Sequence, residues 1–112
     1  MDTQKEKSNI KTLDWIQDAI ECRITNWDLL EVEDVFYEEK DSVVRVFTFS
    51  RGQREYLVVI DPRFHIAGIS SKVDSNLMTQ IYNVLNGLTW QIINGGLAVN
   101  KPFPLPKCKR YS

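Results

Sequence analysis

The sequence has little of what most catalytic and metal-binding sites require. It contains two cysteines, one histidine and five glycines among its 112 residues. A structural zinc site needs about four ligands, which two cysteines and one histidine do not supply. The glycines match neither the G-x-G-x-x-G nor the Walker spacing of phosphate-binding loops. We therefore predict no metal, no cofactor, no catalytic residue and no enzymatic activity.

Long apolar runs are also missing, and the first residues do not predict a secretory leader. No stretch approaches the roughly 20 apolar residues that span a bilayer, and the N-terminus, Met1–Lys7, is polar. The two cysteines, Cys22 and Cys108, form neither a C-x-x-C pair nor a disulfide framework. Two reduced thiols are the expectation from such a pattern. The sequence thus predicts a cytoplasmic protein that does not bind membranes.

What the chain does have is the composition of one folded domain. Its residues are 43% hydrophobic and 26% charged, which is typical of globular proteins. A chain of 112 residues leaves little room for two cores. We predict a single domain over residues 1–112, with a flexible lead-in at residues 1–8 and an extended tail at residues 101–112.

The middle of the chain predicts successive strands that are apolar on both faces. Because strand side chains alternate, Val43, Phe47 and Phe49 point one way while Val44 and Val46 point the other. A sheet with one face in water alternates between apolar and polar residues, and this stretch does not. Both faces therefore need cover, from helices, from the tail or from a second copy of the chain.

Helical patterns flank these strands. Apolar residues at three- and four-residue steps predict one helix over Ile10–Arg23, capped by Ser8 or Asn9, and another that begins near Asp74. The fold class is α+β: an antiparallel sheet of four or more strands with two helices packed mainly on one face, in the order α-β-β-β-β-α. The strands are expected, with a bulge or bend near Asp34, near Leu29–Glu38, Val43–Ser50, Arg54–Asp61 and Phe64–Ser70.

The end of the second helix has two interpretations. Asn86-Gly87 favours a stop, since glycine is preferred just past a helix end, but the apolar face continues through Ile92. A helix could therefore run to Asn94. The alternative is a β-hairpin over Thr89–Val99 that turns at Asn94-Gly95, a pair favoured in tight hairpin turns. The pattern slightly favours the hairpin.

The C-terminal segment combines proline, apolar and basic residues. Prolines at positions 102, 104 and 106 favour an extended, polyproline-like path. The segment is either a docking peptide for a partner protein or a strap across its own sheet. Residues 1–60 carry a net charge of −5 and residues 61–112 of +4, a distribution that can mark an interaction tail. The predicted partner-binding residues are Phe103, Leu105, Lys107, Lys109 and Arg110.

The one histidine, His65, is the natural candidate for proton transfer near neutral pH. It follows Phe64 and precedes Ile66, which favours a packed or surface strand position over a catalytic one. Seven acidic residues between Asp28 and Asp41 do not follow a calcium-loop pattern. Acidic side chains on an edge strand discourage aggregation. An enzyme or ligand-binding protein with a pocket near His65 remains an alternative.

The order helix, strands, helix resembles the double-stranded RNA-binding domain in outline. Residues Gly68–Lys72, before the second helix, occupy the place where that family has its basic cluster. Only Lys72 is basic there, and phosphate binding needs several positive charges to release counterions. Weak binding of nucleic acid is therefore an alternative function. Its basic surface would come from Arg45, Arg51, Arg54, Arg63 and the tail.

The leading interpretation is a small, non-enzymatic protein-binding module that forms a homodimer. An adaptor, a regulator, a chaperone-like protein and an inhibitory protein all fit this description. Leaving one apolar face of the sheet in water would cost several kcal/mol at roughly 25 cal/mol per Å². A two-fold pairing covers that face with one self-complementary surface. The residues predicted for self-association are Val43, Phe47 and Phe49.

Overall fold

The first helix begins earlier than its apolar pattern predicts. The computed structural model describes residues 3–94, and the side chains of residues 8–93. Helix α1 spans Thr3–Arg23, so residues 3–8 belong to it, which corrects both the predicted lead-in and the predicted cap. Within the helix, the hydroxyl of Thr12 donates to the carbonyl oxygen of Ser8 at 3.1 Å. The buried stripe starts only at Leu13.

Four consecutive strands form one antiparallel sheet. Strands β1 (Asp28–Tyr37), β2 (Ser42–Arg51), β3 (Arg54–Ile60) and β4 (Ile66–Ile69) lie in the order β1-β2-β3-β4. The predicted antiparallel sheet in the order α-β-β-β-β-α is confirmed. The β2–β3 hairpin closes over two residues between Arg51 and Arg54. Gly52 has φ +65° there, a conformation that costs a residue without Cβ little.

Strand β1 has its irregularity at a different position from the predicted one. The register shifts between Leu29 and Glu31, so the extra residue is Leu30 and the bulge predicted near Asp34 is wrong. From Glu31 onward the strand alternates regularly. Asp34 therefore lies beside Arg45, on the face that carries Phe47.

Helix α2 spans Ser75–Asn94. Its start agrees with the prediction, because Oδ1 of Asp74 accepts from the amides of Asn76 at 2.8 Å and Leu77 at 3.3 Å, as an N-cap does. The hairpin favoured for Thr89–Val99 is wrong where the structure describes it, since residues 89–94 are helical. Burial of Leu88, which is fully inaccessible to solvent, outweighs the roughly 1 kcal/mol that a helical glycine costs at position 87.

Both helices pack on the same face of the sheet and against each other. The amide nitrogen of Thr25, just after α1, donates to Oε1 of Gln80 on α2 at 2.8 Å, which fixes the two helices at one end. The core lies between the helices and the central strands β2 and β3. Its main buried side chains are Leu13, Ile16, Ala19, Ile20, Phe47, Phe49, Val58, Ile60, Leu77, Ile81, Val84, Leu85 and Leu88.

Candidate functional site

The three residues predicted for self-association lie in this core. Val43, Phe47 and Phe49 are 9%, 0% and 1% exposed, and the rings of Phe47 and Phe49 stack at 6.2 Å. Because the chain's own helices cover them, they present no surface to a second copy in the described structure. Because both faces of the sheet were predicted to be apolar, the face opposite Phe47 is the other candidate for self-association.

That opposite face, which we call the outer face, carries five apolar side chains in neighbouring strands. The register places Val35 beside Val44, and Val46 beside Val59. Leu57 of β3 pairs with Thr48 of β2, two residues beyond the Val46–Val59 pair. Val35 and Leu57 are 41% and 44% exposed, Val46 and Val59 are half-buried, and Val44 is buried at 4% exposure. Among the residues that the structure describes, neither helix packs on this face.

Acidic residues border the outer face on one side. Glu31 and Glu33 of β1 are exposed and point to the outer face, since they pair with Thr48 and Val46. Strand β1 is an edge strand, so the expectation that its acids line an exposed edge is confirmed. Such charges disfavour uncontrolled addition of further strands. Glu33 lies directly beside Val46, whereas Val35 and Val44 lie further along the strands.

Arg45 is a buried cation, although no pattern in the sequence predicts a buried position for it. It is 5% exposed and donates through Nε and Nη2 to the two carboxylate oxygens of Asp34 at 2.6 and 2.9 Å. Its Nη1 donates to Asp14 at 2.8 Å and to Gln17 at 3.0 Å. The hydrogen bonds to Asp34, opposed by burial and reinforced by Asp14, raise the pKa of Arg45. This residue joins α1 to β1 and β2 and does not form a binding surface.

The other arginines considered for nucleic acid are separated. Arg51 and Arg54 lie at the β2–β3 turn, whereas Arg63 follows the far end of β3, roughly 20 Å away at 3.3 Å per residue. Arg54 lies 3.9 Å from the carboxylate of Asp74. No continuous basic surface is assembled from these residues in the described part of the chain.

A pocket of about 400 Å³ does lie beside His65. The loop before β4 is fixed by Asp61, whose Oδ1 accepts from the amides of Arg63 at 2.9 Å and His65 at 3.0 Å. Nδ1 of His65 is 4.0 Å from Oδ2 of Asp61, but the histidine side chain is 73% exposed. Lys40 and Arg63 also line the pocket. The basic side chains of Lys40, Arg63 and His65 could therefore contact a small ligand in the pocket. The buried carboxylate of Asp61 already accepts hydrogen bonds from backbone amides.

A second pocket, which we call the Trp27 groove, opens between the end of α1 and the start of β1. Its volume is about 310 Å³. Trp27 is 4% exposed and its ring lies 5.7 Å from that of Tyr56. The indole Nε1 is buried without a hydrogen-bond acceptor among the described residues, at a cost of about 1–3 kcal/mol. The lining residues are Ile20, Glu21, Ile24, Trp27, Asp28, Leu29 and Phe49.

Cys22 differs from its prediction. It is disulfide-bonded, so the expectation of a reduced thiol on α1 is corrected. The other cysteine, Cys108, lies outside the described residues. The predicted partner-binding residues Phe103, Leu105, Lys107, Lys109 and Arg110 lie outside them too.

Two further findings concern chemistry that the described residues do not provide. Within the described part of the chain, no group of three or more His, Cys, Asp or Glu side chains is arranged to hold a metal ion. Neither α1 nor α2 is long and apolar enough to cross a membrane.

Comparison with known proteins gives no relative: the chain matches no protein-family model, no curated protein and no solved structure.

Proposed function

We propose that this protein is a small, non-enzymatic protein-binding module that forms a homodimer through the outer face of its sheet. It would act as an adaptor, a regulator, a chaperone-like protein or an inhibitory protein. The observation that carries the proposal is that Val35 and Leu57 are 41% and 44% exposed, on either side of the half-buried Val46 and Val59. Exposed apolar patches of this kind commonly mark protein contacts.

The size of the outer face suits a modest interface. The strands have 10, 10, 7 and 4 residues; at about 3.3 Å per residue and about 4.8 Å spacing they give a face of roughly 500 Å². A standard protein interface buries about 800 Å² per partner, so a contact through this face would be a small one. Two-fold symmetry would place the same valines of both copies in contact, with Glu31 and Glu33 at the solvated margin.

Sedimentation equilibrium tests the dimer directly. We expect the wild-type chain to be dimeric at tens of micromolar. Leu57→Glu, which places a carboxylate on the outer face, should give a monomer that remains folded by circular dichroism, because Leu57 is 44% exposed. Ile93→Glu is the matched control, since Ile93 is 72% exposed on α2, away from the sheet. A strictly monomeric wild-type chain at that concentration would overturn the proposal.

A second candidate is binding of a small anion in the pocket beside His65. Three basic side chains, Lys40, Arg63 and His65, line it, and within the described residues neither Lys40 nor Arg63 forms an ion pair. Inorganic phosphate is the simplest probe, because basic groups and hydrogen-bond donors favour it. Titration followed by NMR should shift the His65 ring signals, and Arg63→Ala should weaken the response while Lys72→Ala does not. Equal responses from both variants would argue for unspecific ion binding.

A further inference from the structure

We propose that the pocket beside His65 binds a small organic phosphate, a phosphate monoester that carries an apolar group, and that residues 61–65 position two of its basic side chains. We call residues 61–65 the pocket loop. The inference rests on the second candidate function, anion binding in this pocket, and names the class of anion.

The pocket is larger than an inorganic phosphate ion needs. Its volume is about 400 Å³, and pockets that hold small organic ligands usually have volumes of roughly 300–1,000 Å³. An ion held by the basic side chains alone would leave most of this space to water. An organic group attached to the phosphate can fill the remainder.

Part of the pocket wall is apolar and suits such a group. Val44 of β2, Pro62 of the pocket loop and Ala67 of β4 line it. Asn9 of α1 and Ser42 of β2 add hydrogen-bonding groups to the same wall. Removal of apolar surface from water favours binding, so an aryl or alkyl phosphate gains more from this pocket than a bare ion does.

The basic side chains match a doubly charged anion. Lys40 and Arg63 are exposed, and among the side chains that the structure describes neither forms an ion pair. A phosphate monoester carries a charge of about −1.5 to −2 near pH 7, which these two permanent cations balance. A guanidinium also binds phosphate through two parallel hydrogen bonds. His65 contributes a third basic group when it is protonated.

Asp61 also lines the pocket, but its carboxylate serves the pocket loop. The residue is buried, and its Oδ1 accepts from the amides of Arg63 and His65. Its Oδ2 lies 4.0 Å from Nδ1 of His65. Because these contacts engage both oxygens, the carboxylate offers little negative charge to a ligand.

Further contacts fix the pocket loop before any ligand binds. The amide of Asp61 donates to the carbonyl oxygen of His65 at 3.0 Å, and the amide of Phe64 donates to that of Asp61 at 3.2 Å. The ring of Phe64 packs edge-on against Trp15 of α1, with centroids 6.0 Å apart. A site that is already ordered loses less conformational entropy when it binds.

Two residues with left-handed backbone adjoin the basic side chains of the pocket. Phe64 has φ +68° and lies between Arg63 and His65, and Asp41 has φ +46° and follows Lys40. A positive φ is unusual for a bulky residue such as phenylalanine. Such conformations persist only where the surroundings hold them, and they are concentrated at ligand-binding sites. The pocket loop has both the unusual backbone and the contacts that hold it.

An NMR titration with three ligands tests the class of anion. His65 is the chain's one histidine, so its ring signals identify binding in this pocket. At constant pH and ionic strength, we expect phenyl phosphate to bind about tenfold more tightly than inorganic phosphate, because its ring is buried. Phenol, which lacks the phosphate, should give no saturable shift.

The three ligands separate this inference from the simpler anion site. Equal affinities for phenyl phosphate and inorganic phosphate would overturn the inference and leave the anion site in place. No saturable shift with either phosphate would overturn both. Phenol that binds as tightly as phenyl phosphate would also overturn both, because the pocket would then select the ring alone.

A pair of substitutions tests the basic side chains. Arg63→Ala should raise the Kd for phenyl phosphate about tenfold, since it removes the paired hydrogen bonds of the guanidinium. Lys11→Ala is the matched control, because Lys11 is an exposed cation of α1 that does not line the pocket. Equal Kd values for the two variants would mean attraction by overall charge and would contradict the site.

Substitution of Asp61 tests whether the pocket loop positions the basic groups. Asp61→Ala removes the acceptor for two amides but no basic side chain, and we expect the Kd for phenyl phosphate to rise about tenfold in a chain that circular dichroism shows to be folded. Asp61→Asn keeps an acceptor oxygen and should restore wild-type affinity. Wild-type affinity in Asp61→Ala, or no rescue by Asp61→Asn, would refute the positioning role.

Discussion

Replacement of Arg45 by methionine tests how the described structure is held together. Arg45 is 5% exposed and forms four hydrogen bonds, to Asp34, Asp14 and Gln17. Methionine has a similar length and can fill much of the same space. The substitution therefore removes the charge and the donors while it leaves little cavity.

The expected loss of stability follows from which partners remain. Breaking a fully buried ion pair costs about 3–5 kcal/mol, because the remaining charge stays buried. Here the side chains of Asp14 and Asp34 are 61% and 37% exposed, so water can solvate both carboxylates once the arginine is gone. We therefore expect Arg45→Met to lower the free energy of unfolding by about 2–3 kcal/mol, and the melting temperature by roughly 10 °C.

Urea unfolding followed by circular dichroism measures this difference. The matched control is Arg54→Met, whose guanidinium is 71% exposed and 3.9 Å from Asp74; a surface pair of this kind is worth at most about 1 kcal/mol. Because hydrogen bonding raises the pKa of Arg45, deprotonation of the guanidinium removes its stabilising effect only as the pH rises into strong alkali. Equal losses for the two variants, or no loss for Arg45→Met, would refute this account of the interior.

Three further outcomes are expected. Asp61→Ala should lower the free energy of unfolding by about 1–3 kcal/mol, since Oδ1 of Asp61 accepts from two backbone amides; the exposed Glu55→Ala should change it by less than about 0.5 kcal/mol in the same urea titration. His65→Ala should leave the principal biological activity largely intact, and a loss of activity in a variant that folds and binds its partners normally would favour an enzyme. Binding of RNA or DNA, measured by fluorescence anisotropy, should disappear by physiological salt, and sub-micromolar, sequence-selective binding under that condition would contradict this.

The sequence predicted the helices and strands well where the spacing of apolar residues matches the residues that are buried in the structure. The alternation around Phe47 and Val46 predicted a sheet that is apolar on both faces, and the structure has that sheet. The alternation of side chains could not identify which face the helices cover, because both faces carry aliphatic side chains. Val43, Phe47 and Phe49 were therefore assigned to an interface that the helices occupy.

The errors arise where tertiary contacts outweigh local preference. Gly87 and Asn94-Gly95 are turn signals, but Leu88 is fully buried and the helix continues through it. Arg45 looked like a surface cation because its partners Asp14 and Asp34 are 31 and 11 residues away in the chain. The Trp27 groove was missed for the same reason: its walls come from α1, β1 and β2, and no spacing in the sequence joins them.

The order of elements along the chain has a consequence during protein synthesis. All four strands precede α2, the second of the two helices that cover Phe47 and Phe49. A ribosome that has released the strands still retains the residues of α2, so the nascent sheet emerges with part of its future interior in contact with water. Apolar surface exposed in this way is what chaperones capture during translation. A longer interval before α2 emerges would favour aggregation over folding.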